Sequence, residues 1–233
     1  MGSVQGPGST GAGVAVAVMA KAPRAGQVKT RLCPPLAPAE AAALYRCFLL
    51  DRIAQVAGLD GVTPVVAYAP ADAGAEFEGL APGFRLVPQR GSTLGERLTH
   101  VFADLLGGSH RAAIATDSDT PTLPRRCLEA GVRALAAGEA DVALGPTEDG
   151  GYYLVGLARP APLLFRDVPW STAAVLATTL DRARGLGLRV TLLSPWFDVD
   201  TAADLERLRE ALAAAAGDEP RHTRRLLAAR RPA

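Results

Sequence analysis

The 233-residue sequence has only two lysines, three cysteines and few aromatic residues, 5% in all. Its cysteines (Cys33, Cys47, Cys127) form no CxxC pair and are odd in number. That argues against a disulfide framework or a zinc site and fits a reducing compartment. No apolar run reaches the roughly 18 residues of a membrane span. Formal charge is +1, which excludes a globally basic nucleic-acid binder and gives no reason to expect an anionic membrane surface as partner. The first residues carry no basic n-region, so no signal peptide and a cytoplasmic location are expected. The first loop after a strand, Ala20 to Leu32, has neither the GxxxxGK[ST] nor the GxGxxG phosphate-binding pattern.

Apolar residues make up 48% and charged residues 21%, the balance of a globular chain long enough to bury a large core. Strand and helix patterns alternate. Strands are predicted at Val14–Met19, Val62–Tyr68, Phe84–Val87, Ala112–Ala115, Val142–Leu144, Tyr152–Leu157 and Arg189–Leu193. Helices are predicted at Pro38–Ala57, Leu94–Leu106, Leu123–Ala137, Thr172–Leu186 and Ala202–Ala216. The expected organisation is a flexible Gly/Ser-rich tail over 1–13, one α/β domain over 14–217 and a basic, solvated tail over 218–233. A βαβ succession of this kind implies a doubly wound, mostly parallel sheet. Ligands of such sheets bind beyond the carboxyl ends of the strands, so loops leaving strands are where chemistry is expected.

Both lysines fall in the first such loop. The chain writes 23 of its 25 basic residues as Arg, so Lys21 and Lys29 together suggest that an ammonium is needed there, unless the clustering is chance. With Arg24, Arg31 and Gly26 they form a cationic loop suited to a polyphosphate, although a solvated basic loop has the same composition. Asp117-Ser-Asp119 follows a buried strand and could share one hard cation, or be a plain turn before Pro121. Glu148-Asp-Gly-Gly-Tyr152 combines two glycines for close backbone approach with Asp149, which could orient a hydroxyl or act on an acceptor. A hairpin turn would account for the glycines alone. Asp198-Val-Asp200-Thr201 precedes the last long helix, with Thr201 or Asp200 expected as its cap and one carboxylate as a metal ligand. Trp170, Ser171 and Thr172 could line an acceptor pocket or serve as core and cap. Gln89 and Arg97 could reach a base or lie on the surface. His100, His110 and His222 have no ligand or triad spacing.

Ala20-Lys-Ala-Pro23, Gly26, Lys29-Thr-Arg-Leu32, Asp117-Ser-Asp119, Glu148-Asp-Gly-Gly-Tyr152, Pro169-Trp-Ser-Thr172 and Asp198-Val-Asp-Thr201 together resemble a bacterial family usually labelled glycosyltransferases. That family is similar to the nucleotidyltransferases that make molybdenum guanine dinucleotide and the guanylylated phospholactate precursor of the deazaflavin cofactor. The resemblance runs from about Val14 to Leu212. It implies the GT-A, or nucleotide-diphospho-sugar transferase, fold for a nucleotide-dependent transferase domain, with Mg²⁺ or Mn²⁺ as cofactor. Nucleotide contacts would come from Ala20, Lys21, Gly26, Lys29, Arg31, Gln89 and Asp117. Metal contacts would come from Asp117, Asp119 and Asp200. Lys29 and Arg31 would meet the phosphates during catalysis, with Asp149 acting beside them. Glu148, Gly150, Gly151, Tyr152, Trp170, Ser171 and Thr172 would face the acceptor. The first loop lacks the GGxGTRL glycine pair of sugar-1-phosphate nucleotidyltransferases.

Three functions follow as expectations: nucleotidyl transfer from an NTP with pyrophosphate release, glycosyl transfer from a nucleotide sugar, or non-catalytic nucleotide binding. The cationic loop and the late Asp-Val-Asp favour the first, because departing pyrophosphate needs cations and in-line displacement profits from a metal held from two sides. The expected partners are a nucleotide and a small anionic acceptor, with no nucleic acid or membrane, and a homodimer left open. If the metal site is assembled as expected, a carboxylate of Asp117 or Asp119 lies within about 6 Å of one from Asp198 or Asp200.

Overall fold

The computed structural model describes residues 13–108 and 110–229. Seven strands form one sheet in the order β3-β2-β1-β4-β6-β5-β7. In chain order they are β1 (Val14–Lys21), β2 (Val62–Ala69), β3 (Arg85–Pro88), β4 (Ala112–Thr116), β5 (Val142–Pro146), β6 (Tyr152–Leu157) and β7 (Val190–Leu192). The helices are α1 (Pro38–Ala57), α2 (Gly74–Leu80), α3 (Leu94–Leu106), α4 (Arg125–Ala136), α5 (Val175–Gly185), α6 (Ala202–Ala214) and α7 (Arg221–Ala229). Only β6 runs against its neighbours β4 and β5. The expected α/β domain with a mostly parallel sheet is the fold observed.

Strand β1 shows why the sheet is buried on both faces. Val14, Val16 and Val18 join Leu49, Ile53, Val56, Phe77, Ile114 and Leu128 in one core, beneath α1, α2 and α4. Ala15 and Ala17 point the other way, into a core with Leu98, Phe102, Leu105, Leu144 and Leu157 beneath α3. This is the period-two alternation of a strand covered on both sides. Local signals set the helix starts. Pro38 opens α1 while Glu40 accepts from the Ala37 N–H at 2.8 Å, and Thr93 with Glu96 closes a capping box on α3.

The chain turns from one half of the sheet to the other between β1 and β4, so the loops after these strands diverge and leave a crevice. Because β6 is antiparallel to β5, the turn joining them lies at the same edge. A third core closes that edge. Leu32 from the first loop, Leu44 and Phe48 of α1, and Val199, Leu205 and Leu208 of the final segment pack together.

The C-terminal segment corrects the expectation of a solvated basic tail over 218–233. Residues 221–229 form α7, and buried Asp51 of α1 accepts from the backbone N–H groups of His222 and Thr223, each at 2.9 Å, and from Thr223 Oγ1 at 2.6 Å. Three donors on one carboxylate outweigh the exposure preference of the surrounding arginines. Most of the expected N-terminal tail, 1–12, and the last four positions lie outside the described residues.

Candidate active site

A cleft of about 580 Å³ opens at the carboxyl edge of the sheet. It is lined by the first loop, the Asp117–Asp119 loop, the Thr147–Tyr152 turn, Trp170–Thr172 and Asp198–Asp200. Five segments far apart in sequence thus meet in one place.

The first loop is held on both sides of Lys29. Val28 packs on Ala42 and Tyr45, and Leu32 is fully buried in the third core. Between them Lys29 adopts a left-handed backbone, φ 48° and ψ 37°, a conformation costing about 1 kcal/mol for a residue with a Cβ. Such strain persists where surroundings fix it, and here it aims the side chain at two carboxylates. Lys29 Nζ lies 2.6 Å from Asp119 Oδ1 and 2.7 Å from Asp200 Oδ1. Both oxygens touch one nitrogen, so they fall inside the roughly 6 Å spacing expected for a shared cation. Burial works against the Lys29 charge, but Asp119 and Asp200 outweigh it and hold the ammonium above its ordinary pKa.

The Asp117–Asp119 loop is fastened from behind. Ser118 is buried, its Oγ 3.0 Å from Tyr45 Oη and donating to the Met19 carbonyl at 3.2 Å. Tyr45 Oη accepts from the Lys21 N–H at 2.9 Å, which ties the ends of β1 and β4 to α1. Asp117 Oδ1 accepts from Thr120 Oγ1 at 2.7 Å and lies 3.4 Å from Arg52 Nη2. Arg52 is itself buried and also donates to Thr120 through both its carbonyl, at 2.9 Å, and its hydroxyl. Burial pushes the Asp117 carboxyl up, Arg52 pulls it back and Asp119 adds repulsion. Asp119 is linked to the last motif through its carbonyl, which accepts from the Val199 N–H at 3.0 Å.

Of the two expected cap candidates, Thr201 rather than Asp200 caps the helix, so neither carboxylate of Asp198-Val-Asp200 is spent on it. Thr201 is the N-cap of α6 and Asp204 completes the box, accepting from the Thr201 and Asp200 N–H groups. Both Asp198 and Asp200 therefore line the cleft. Partial burial, with Asp149 and Asp200 nearby, raises the Asp198 carboxyl to about 6.

Ala20, Lys21, Arg31, Gln89, Gly151, Tyr152, Trp170, Ser171 and Thr172 also line the cleft. Gln89 Nε2 donates to the carbonyls of Ala67 and Ala20, at 2.7 and 3.1 Å. Arg31 is exposed and 3.5 Å from Asp200 Oδ2. Several side chains have partners that the sequence did not indicate. The Lys29 ammonium is held by the carboxylates of Asp119 and Asp200. Gly26 is outside the cleft lining and serves the turn through its φ of 76°. Glu148 is also outside, paired with Arg207 at 2.6 and 2.8 Å, which anchors its turn to α6. Gly150, at φ 91°, lies against Ala173, where a Cβ would strike the backbone carbonyl. Asp149 Oδ1 accepts from Thr147 Oγ1 at 2.5 Å and Gly151 N–H at 3.0 Å, so one oxygen is committed to the turn. Thr172 precedes α5, which starts at Val175.

The cleft sets five carboxylates (Asp117, Asp119, Asp149, Asp198, Asp200) against four cations (Lys21, Lys29, Arg31, Arg97). A polyphosphate entering there would meet the exposed carboxylates of Asp119 and Asp200 as well as the cations, and a divalent cation would reconcile the two. Among the described residues no three His, Cys, Asp or Glu side chains close into a metal cage. Two carboxylates converging on one cation, beside room for a ligand, are nevertheless what Mg²⁺ uses when substrate oxygens complete its shell. The donor set fits the metal.

A family model described as uncharacterized proteins conserved in bacteria (DUF2064) matches residues 52–172, more than half of the chain. A provisionally named nucleotide-diphospho-sugar transferase from Desulfovibrio desulfuricans G20 is 30% identical, covering 94% of this chain and 95% of its own with a TM-score of 0.86. The chain belongs to this family. Its fold is that of nucleotide-dependent transferases. CMP:2-keto-3-deoxy-manno-octonic acid synthetase, solved with CTP, is 16% identical and covers 87% of this chain and 99% of its own, TM-score 0.55. Glucosyl-3-phosphoglycerate synthase from Mycobacterium tuberculosis, solved with Mn²⁺, UDP and glucosyl-3-phosphoglycerate, is 15% identical and covers 89% of this chain and 81% of its own, TM-score 0.52. At these identities the two show the fold alone. No curated protein matches.

The matched segment takes in Arg52, Asp117–Asp119 and Glu148–Thr172, but not the first loop or Asp200. Sequence reasoning missed Arg52, Tyr45 and Ser118. A signal for Arg52 existed: it falls one turn after Phe48 on the buried stripe of α1, where a charge needs a partner.

Proposed function

We propose that the protein is a metal-dependent nucleotidyltransferase that moves an NMP group from an NTP to a small phosphorylated acceptor. The observation that carries this is the convergence of Asp119 and Asp200 on one cation, in a cleft that also presents Lys21, Arg31 and Arg97. An acceptor phosphate oxygen would form a bond to the α-phosphorus while the α–β P–O bond breaks and pyrophosphate leaves with the electron pair. A phosphate oxyanion needs no general base, consistent with Asp149 serving to shape its turn. Asp119 and Asp200, with Asp117 beside them, would hold Mg²⁺ or Mn²⁺, which when bound neutralises phosphate charge. Arg31 offers a planar fork to phosphate oxygens and Lys21 a mobile point charge. Gln89, its amide nitrogen committed to backbone carbonyls, presents its oxygen as an acceptor for a base. Tyr152, Trp170, Ser171 and Thr172 form the opposite wall, suited to the acceptor. The catalytic unit spans 14–217, with α7 as a brace.

Glycosyl transfer from a nucleotide sugar is the second reading, favoured by the name of the 30%-identical relative. Incubation with each NTP, Mg²⁺ and a panel of phosphorylated acceptors should release pyrophosphate. Nucleoside diphosphate released from nucleotide sugars, with no pyrophosphate from NTPs, would establish glycosyl transfer instead.

A further inference from the structure

Lys29 is an unusual neighbour for a metal site. Its side chain is only 5% exposed, whereas those of Asp119 and Asp200 are 40% and 38% exposed. The carboxylates thus face the cleft while the ammonium sits behind them, its Nζ 6.0 Å from the centre of the Phe48 ring. Two charge-assisted hydrogen bonds hold it there. The backbone on either side is fixed by buried Val28 and Leu32, so only the four-carbon stem is free to move.

Building on the metal-dependent reading above, we propose that Lys29 is an internal competitor for the divalent cation. In the nucleotide-free protein its ammonium holds Asp119 and Asp200. The metal loads tightly only together with a polyphosphate, which offers Lys29 a new anionic partner. The physical reason is charge balance. A tethered ammonium is present at a high effective concentration, and a divalent ion beside it, with only two carboxylates between them, would face an unshielded cation. A polyphosphate removes that repulsion, so metal and nucleotide bind with positive coupling. The device would keep the cleft from filling with metal before substrate arrives.

The test is Mn²⁺ binding to the full chain, followed by water-proton relaxation enhancement with no turnover. Wild type should bind Mn²⁺ weakly alone and at least tenfold more tightly with α,β-methylene analogues of the four ribonucleoside triphosphates. Lys29→Met, which keeps the stem and removes the charge, should bind Mn²⁺ alone at least tenfold more tightly than wild type. Lys29→Gln provides the same comparison if the methionine variant does not fold, and Lys29→Arg should stay weak. If wild type takes up Mn²⁺ with nucleotide but neither uncharged variant gains affinity for Mn²⁺ alone, the competitor role is wrong while the metal reading stands. If no protein binds Mn²⁺ even with nucleotide, the metal reading itself fails and the inference with it.

Discussion

Replacing Leu32 by alanine should damage fold and site through one cavity. Leu32 is fully buried where the first loop, α1 and α6 meet, against Leu44, Phe48, Val199 and Leu205. Leucine-to-alanine changes in cores cost about 2–5 kcal/mol, less where the surroundings can collapse. Here one wall is loop and can relax, so about 3 kcal/mol is expected. For a domain of this size each kcal/mol lowers Tm by about 2–4 °C, so a fall of about 6–12 °C should appear in a thermal melt. The functional effect is separate. Leu32 lies three residues after Lys29 and shares its core with Val199, next to Asp200. Loss of the pin loosens the placement of the first loop and of Asp200, so transferase activity measured well below the new Tm should fall at least tenfold. Sub-ångström to ångström misplacement of reacting groups has effects of that order. A normal Tm would show that this core does not hold the edge of the sheet. A lowered Tm with full activity would show that it does not position the site.

Three further outcomes follow from individual contacts. Asp198 has its carboxyl raised to about 6, so the native state holds a proton between about pH 4 and 6 that the unfolded chain has lost, and ionisation destabilises the fold above pH 6. Allowing for solvent screening, the cost is about 1 kcal/mol; metal-free Asp198→Asn should melt about 2–4 °C above wild type at pH 7.5, with the gap closing towards pH 4, and a lower Tm at pH 7.5 would contradict this. Arg52→Met removes the partner of Thr120 and Asp117 and should cost about 3 kcal/mol, part of it recovered by adding Asp117→Asn; chemical denaturation of both variants checks it, and an additive loss would deny the pairing. Asp51→Ala should abolish hydrogen-exchange protection over 221–229 while the sheet stays protected; unchanged protection there would mean that α7 docks without this carboxylate.

Most of the fold was legible because its elements carry strong local signals. Pro38 and Gly58 bracket α1, Thr93 and Glu96 open α3, and the valine–alanine run of β1 has strand length. The two missed helices lacked such signals. α2 is one short element with glycines at 74 and 79 and a single fully buried anchor, Phe77. α7 is basic and depends on Asp51, a hydrogen-bond partner 171 residues away. The cleft-lining motifs were legible as chemistry-bearing loops at the ends of strands, because short polar segments after buried strands can go only to that edge. What each side chain touches was not legible. Lys29 was expected at a phosphate, yet in the folded chain its nearest anions are Asp119 and Asp200, brought together by the third core. Glu148 was expected at an acceptor, but Arg207 on α6 reaches it first. Both cases turn on pairings between distant segments, which spacing along the chain does not encode.

The central claim is that the cleft between the ends of β1 and β4 binds nucleotide with a metal held by Asp119 and Asp200. The most direct measurement is anomalous diffraction from crystals grown with Mn²⁺ and a non-hydrolysable NTP analogue. A Mn²⁺ peak within coordination distance of both carboxylates and of a phosphate oxygen is the expected result. Nucleotide bound outside this cleft, or bound within it with Lys29 still bridging Asp119 and Asp200 and no metal peak, would contradict the account.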